Sequence, residues 1–316
     1  MATIKEQTEK TEQLKTSLDN KVDSIGNIIN TKVKEKPTTL TQVDDVLNRK
    51  MLGIGDTLTD VQVLDLGYPS DKNGIFPGNT GRIYALAIDD TYIYSGSDDN
   101  AVRKIRKSDM VEVGIFTGNT SYVKALAIDN EYIYSGGNDR TVRKIRKSDM
   151  TEVGKFTGNT GSIYALAIDN EYIYSGSYDK AVRKIRKSDM VEVGIFTGNT
   201  SYVKALAVDN EFIYSSSYDK IVREIRKSDM VEVGKFTGHI NYVNALAIDD
   251  TYIYSGSDDR IVRKIRKSDM TEIYRFIGHN YPVNALAIDN EYIYSGGNDR
   301  TVRKWFKYML YKIISI

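Results

Sequence analysis

Hydrophobic and polar positions follow two rhythms along this chain, and the change from one to the other marks its organisation. Over residues 1–36 the apolar side chains Leu14, Leu18, Val22, Ile25, Ile29 and Val33 are spaced by 4, 4, 3, 4 and 4. That spacing draws an apolar stripe along a helix. The pairs 14/25, 18/29 and 22/33 lie 11 apart, the period of a straight or right-handed coiled coil. A lone helix would leave the stripe in water, so the segment predicts a coiled-coil stalk that self-associates, with a trimer as the expected order. A single helix packed on the rest of its own chain or on a neighbouring subunit is the other use of such a stripe. Pro37 ends the helix, because its ring blocks the backbone bond that would continue it. Residues 37–60 carry a short second amphipathic piece (Val43, Val46, Leu47, Met51) followed by Gly53 and Gly55, which predicts a neck.

From residue 61 to 316 the rhythm is that of short strands. Gly78, Gly118, Gly158, Gly198, Gly238 and Gly278 recur every 40 residues, each two positions after a phenylalanine. One unit, Phe116 to Lys155, predicts strand a over Val123–Ile128, a tight turn at Asp129-Asn130, and strand b over Tyr132–Ser135. Gly136-Gly137-Asn138-Asp139 then turns into strand c, Thr141–Arg146, and Lys147-Ser148-Asp149 leads to strand d, Thr151–Phe156. Four strands in about 40 residues is the size of a propeller blade.

These units resemble the WD-repeat family, in which a Gly-His pair, a serine on strand b, an aspartate in the b–c turn and a tryptophan on strand c form a structural tetrad. The last unit carries the whole set as His279, Ser295, Asp299 and Trp305. The fifth has His239, Ser255 and Asp259, with Ile265 in place of tryptophan, and the first four have Gly-Asn and an isoleucine such as Ile105. The turn aspartate persists throughout as Asp99, Asp139, Asp179, Asp219, Asp259 and Asp299. The resemblance implies an all-β, six-bladed β-propeller, with the tetrad expected to act only in its last blade. A seventh blade would need a further a–b pair. Asp60–Leu66 resembles a strand c, Asn73–Phe76 a strand d, and Tyr308–Ile316 is apolar enough for a strand, so paired terminal strands are expected to close the ring.

Composition narrows the function more than it names it. The 316 residues carry a formal net charge of +1 and no cysteine, which removes disulfides and thiolate metal sites and gives no support to nucleic-acid binding. The start of the chain lacks a secretory pattern, and no run approaches the roughly 18 apolar residues of a membrane span. The basic run Val102-Arg103-Lys104-Ile105-Arg106-Lys107 recurs in nearly every unit. With Asp99, Asp109 and Glu112 close by, it reads as ion pairing and buried lysine stems rather than phosphate binding. His239 and His279 occupy the position that the resemblance makes structural. Asp89-Asp90 and Asp98-Asp99 read as turn residues, lacking the spacing of a calcium loop. No enzyme, cofactor or metal is expected.

The units differ from one another mainly in two places. One is the d–a segment (Thr80–Tyr84, Thr120–Lys124, Ile240–Asn244), and the other is the b–c turn, where Asp98, Asn138, Tyr178, Tyr218, Asp258 and Asn298 are equivalent. In a propeller both connections emerge on one face. Drift between duplicated units explains the variation without function. The alternative is a partner-binding face with Arg82, Tyr84, Tyr122, Lys124, Tyr178, Tyr218, Asn241, Tyr242 and Tyr281, where tyrosine supplies rigid area with a polar tip. Stalk, neck and head in that order resemble a phage tail fibre or a baseplate-associated protein. That resemblance implies attachment to particle proteins through the stalk, a cell-surface protein or glycan as receptor, and a virion location without a signal peptide. The competing expectation is a cytoplasmic WD-repeat scaffold for protein assembly.

Overall fold

The computed structural model describes residues 75–307. These lie in the second of two units into which the chain divides, 71–316. The expected stalk (1–36), the neck (37–60), the strand-like stretch 60–66 and the tail 308–316 fall outside the described residues.

Six antiparallel sheets follow one another along the described chain. The first comprises β1 (Ile83–Ile88), β2 (Tyr92–Ser97), β3 (Val102–Arg106) and β4 (Val111–Phe116). The second comprises β5 (Val123–Ile128), β6 (Tyr132–Gly137), β7 (Val142–Arg146) and β8 (Glu152–Phe156). Three further four-stranded sheets repeat the order a-b-c-d, and the last has three strands, Val283–Ile288, Tyr292–Gly297 and Val302–Phe306. The strands a of successive sheets pack on each other, so they are innermost. The arrangement is a six-bladed β-propeller.

Strand b runs two residues further than the sequence suggests, taking in Gly136 and Gly137. The reason lies in the next blade: a Cβ on Gly136 would stand 2.8 Å from the Ile163 side chain. The glycine is needed for close approach of two sheets, not for a turn.

The core is a series of seams. Between the first two blades, Tyr94, Val102 and Phe116 face Val123, Ile133, Ile145 and Met150 from the next. Equivalent clusters fill four more seams. Ile145 is wholly buried, which is worth roughly 2–3 kcal/mol of hydrophobic transfer. Met150 reaches its seam from the c–d turn in a left-handed backbone conformation, φ 56°. Its side chain lies where a Cβ on Gly114 of the preceding blade would clash at 2.7 Å, so the strand-d glycine makes room for the methionine. At the two ends of the series the matching positions are open: Ile83 is 47% exposed against 1% for Val123, and Val302 is 79% exposed against 0% for Val142.

The polar network corrects one expectation. The tetrad is complete in the last blade, where Ser295 Oγ lies 2.7 Å from His279 Nε2, Asp299 lies 2.7 Å from His279 Nδ1, and Trp305 Nε1 donates to Ser295 at 2.7 Å. The first three blades are not without a counterpart. Asn119 Oδ1 accepts from Ser135 Oγ at 3.2 Å and from Arg143 at 3.2 Å, and Arg143 pairs with Asp139. The same triangle forms around Asn79 and Asn159. Asparagine supplies the acceptor that histidine would, and the strand-c arginine supplies the link to the turn aspartate. The expected pairing of these arginines with aspartate is present in each of the first five blades, with side-chain exposures of 8% or less for every arginine.

Candidate partner-binding face

Backbone bonds sort the connections into two ends. The b–c turn meets the d–a segment, Asn138 N–H donating to the Tyr122 carbonyl at 3.0 Å. The c–d turn meets the a–b turn, Lys147 N–H donating to the Glu131 carbonyl at 2.9 Å.

The a–b/c–d end is a repeated clamp. Asp129 Oδ1 accepts from the backbone N–H groups of Glu131 and Tyr132, which makes the turn. Its Oδ2 accepts from Tyr134 Oη at 2.8 Å and from Lys187 Nζ of the next blade at 2.9 Å. Burial pushes the Asp129 carboxyl up, but these donors outweigh it and hold it below the ordinary carboxylate value. Asp89, Asp169, Asp209 and Asp249 do the same with Lys147, Lys227, Lys267 and Lys307. Lys144 donates to the Lys187 carbonyl at 3.0 Å and lies over the Tyr132 ring. Clefts open at these seams, each lined by the same acidic, tyrosine and lysine positions. In the fourth blade Glu224 and Phe212 replace that lysine and tyrosine together. Burial pushes the Glu224 carboxyl up.

The d–a/b–c end is aromatic. Tyr178 and Tyr202 stack with ring centres 3.8 Å apart and share a 2.8 Å hydrogen bond between their hydroxyls. Tyr202 leans on Tyr218 at 5.7 Å, and Tyr218 lies parallel to Tyr242 at 4.2 Å. Tyr164 abuts Tyr178 at 6.5 Å. The result is a ladder across the third, fourth and fifth blades, whose outer members Tyr178 and Tyr242 are exposed. Its register follows the repeat: each rung joins a b–c turn to the d–a segment of its own blade or of the next.

The residues expected on this face divide into three groups. Tyr178, Tyr218 and Tyr242 enter the ladder. Arg82, Tyr84 and Tyr122 form a separate patch, with Arg82 paired to Asp98 at 3.2 Å and Tyr84 stacked on Tyr122 at 6.3 Å. The hydrogen bond it donates to Asp98 raises the Arg82 guanidinium above its ordinary value. Tyr281 stands exposed and apart from these rings, and Asn241 accepts from Tyr242 N–H at 2.9 Å, a bond that shapes the segment. Lys124 lies over the Tyr164 ring at 4.5 Å.

Three participants were not expected: Tyr202, Tyr164 and Lys204. The signal was present in the 40-residue period, which puts Tyr202 in the column of Tyr122 and Tyr242, and Tyr164 and Lys204 in the column of Tyr84 and Lys124.

His239 and His279 have the connectivity of a nucleophilic triad, serine to Nε2 and aspartate to Nδ1. Both are buried with their serines, leaving no position for a substrate carbonyl, so the arrangement is structural. Burial, with the hydrogen bond to Asp259 opposing it, holds His239 below the ordinary imidazole value. Among the described residues no group of three or more His, Cys, Asp or Glu side chains could hold a metal ion.

Comparison with known proteins agrees with this geometry. The family model described as "WD domain, G-beta repeat" matches six successive stretches, 70–104, 110–144, 150–184, 190–224, 230–264 and 270–305. No curated protein sequence matches the chain. Among solved structures, the chain is similar to the computationally designed Ika8 protein at 24% identity and a TM-score of 0.67, over 73% of this chain and 72% of that one. It is similar to the WD40 β-propeller domain of Doa1 at 23% identity and TM-score 0.67, over 73% and 81%. It is also similar to U3-55K at 21% identity and TM-score 0.69, over 73% and 79%. At these identities the likeness is one of fold.

Proposed function

The chain belongs to the WD-repeat family, and from that premise we propose that it is a non-enzymatic scaffold that holds protein partners on the d–a/b–c face of its propeller. The observation that carries the reading is the asymmetry of the two ends. The a–b/c–d end repeats one closed set of ion pairs blade after blade. The opposite end breaks the repeat and exposes Tyr84, Tyr122, Tyr178, Tyr242 and Tyr281. Large aromatic side chains with a polar tip are the residues that dominate binding at protein interfaces.

The tail-particle reading, with its cell-surface or glycan receptor and its virion location, finds no support in the comparisons. The assembly scaffold takes its place and brings the cytoplasmic location with it. Self-association through the stripe Leu14–Val33 remains part of the proposal on sequence grounds. Light scattering of the full chain against a Leu18→Asp/Ile25→Asp variant tests it, with loss of the oligomer expected.

Affinity capture of partners with the whole chain tests the face itself. The reading requires that proteins retained by the wild type be lost with Tyr178→Ala/Tyr242→Ala and kept with a control change at the other end, Asn130→Ala. Retention that ignores both changes would assign partner binding elsewhere.

A further inference from the structure

The inner end of the ladder carries two cations that no described residue satisfies with a hydrogen bond or an ion pair. The second residue of each strand a is Tyr84, Lys124, Tyr164, Lys204, Asn244 and Asn284 in turn. Lys124 and Lys204 come from the blades on either side of Tyr164 and place their ammonium groups 4.5 Å and 4.8 Å from the centre of its ring. Both are half-buried, and among the described residues neither donates a hydrogen bond or forms an ion pair with a carboxylate.

The buried and half-buried lysines at the other end behave differently. Lys104, Lys144 and Lys184 donate to carbonyls, and Lys147, Lys187 and Lys227 to carboxylates. Burial holds Lys124 and Lys204 below the ordinary ammonium value. The charge of Lys204 lowers Lys124 further, while Asp258 opposes the shift at Lys204. Two like charges around one ring, part-desolvated and short of acceptors, make a site that an anion would complete.

The neighbouring rings decide which anion carrier fits. Tyr178 stacks on Tyr202 and Tyr218 on Tyr242, so their facing π surfaces are taken by one another. Faces used in this pairing are not open to nucleic-acid bases, which favours an extended polypeptide as the occupant. Asp258, held by Asn244 at 2.6 Å, adds a carboxylate that Lys204 senses and that disfavours a polyphosphate chain.

We infer that this face binds an extended acidic segment of a partner protein, with a glutamate or aspartate carboxylate between Lys124 and Lys204 and the following residues laid along the ladder from Tyr178 to Tyr242. The inference rests on the partner-binding reading of this face and names the chemistry it selects.

Fluorescence anisotropy on the full chain, with fluorescein-labelled oligoglutamate, oligoglutamine and oligolysine peptides of one length and a thymidine oligonucleotide, tests it. Oligoglutamate should bind, weaken with added salt, and lose about tenfold in affinity with Lys124→Gln/Lys204→Gln, a pair that removes the charge and keeps a polar tip. Tyr178→Ala/Tyr242→Ala should weaken it by about threefold or more. No binding of oligoglutamate, binding indifferent to the two lysines, or an oligonucleotide bound as tightly through them would overturn the inference. Oligoglutamine bound as well as oligoglutamate, and lost with the tyrosine pair, would keep the binding face and refute its acid selectivity. No peptide responding to either pair would remove both.

Discussion

The clamp around Asp129 makes a quantitative prediction, because two side chains from different blades donate to one oxygen atom. Tyr134 Oη and Lys187 Nζ both end on Oδ2, at 2.8 Å and 2.9 Å, while Oδ1 keeps its two backbone donors. Tyr134→Phe removes a hydrogen bond to a charged acceptor, a loss of about 1.5 kcal/mol. Lys187→Met removes an ion pair whose partners are 10% and 29% exposed. That places it between surface and buried pairs, at about 1.5 kcal/mol. After either change Oδ2 retains one donor. After both it retains none and stays half-buried, so the double variant should cost about 1 kcal/mol more than the sum of the singles. Equilibrium urea unfolding, followed by circular dichroism and tyrosine fluorescence with coincident transitions, measures all three. Additive costs, or single costs under about 0.5 kcal/mol, would show that the seams are held by apolar packing alone.

Three further outcomes are expected. Asp99 and Asp259 are pushed up by burial, yet donors outweigh it, chiefly Arg103 for the first and His239 with Arg263 for the second, and both titrate at about 2. Their folded values lie below the unfolded one, so their stabilisation is whole above about pH 4 and is lost as pH falls towards 2. Urea midpoints should drop through that window, less so for Asp259→Asn once its lower starting stability is taken into account. Gly154→Ala sets a Cβ 2.9 Å from Met190 and should cost about 1–2 kcal/mol, partly recovered in the same unfolding assay by adding Met190→Ala. Ile145→Trp, which installs the side chain of the last blade in a seam that is already fully buried, should destabilise by about 1–3 kcal/mol in denaturant titration rather than stabilise.

The repeat period, the four strands of each unit and the division of connections between two ends are all legible in the sequence. They follow from local rules: alternation marks strands, turn residues punctuate them, and a 40-residue copy must fold like its neighbour. The pairing of Arg103 with Asp99 is legible for the same reason, its partners being four residues apart in one hairpin.

What the sequence leaves open is whatever joins one blade to the next. Asp129 reads as a turn residue and is one, but its tie to Lys187 spans 58 positions and exists only because two sheets lie side by side. Gly136 reads as a turn glycine and is a packing glycine, since the Ile163 side chain that demands it belongs to another unit. The exposed tyrosines are visible as a list of variable positions. Their order as a ladder, and the addition of Tyr164, Tyr202 and Lys204, depend on a b–c turn meeting the next d–a segment across a seam. The chain alone determines the blade, because a blade is made of neighbours in sequence. Only the tertiary structure decides the seams and the binding face, because those contacts are set by how successive blades pack.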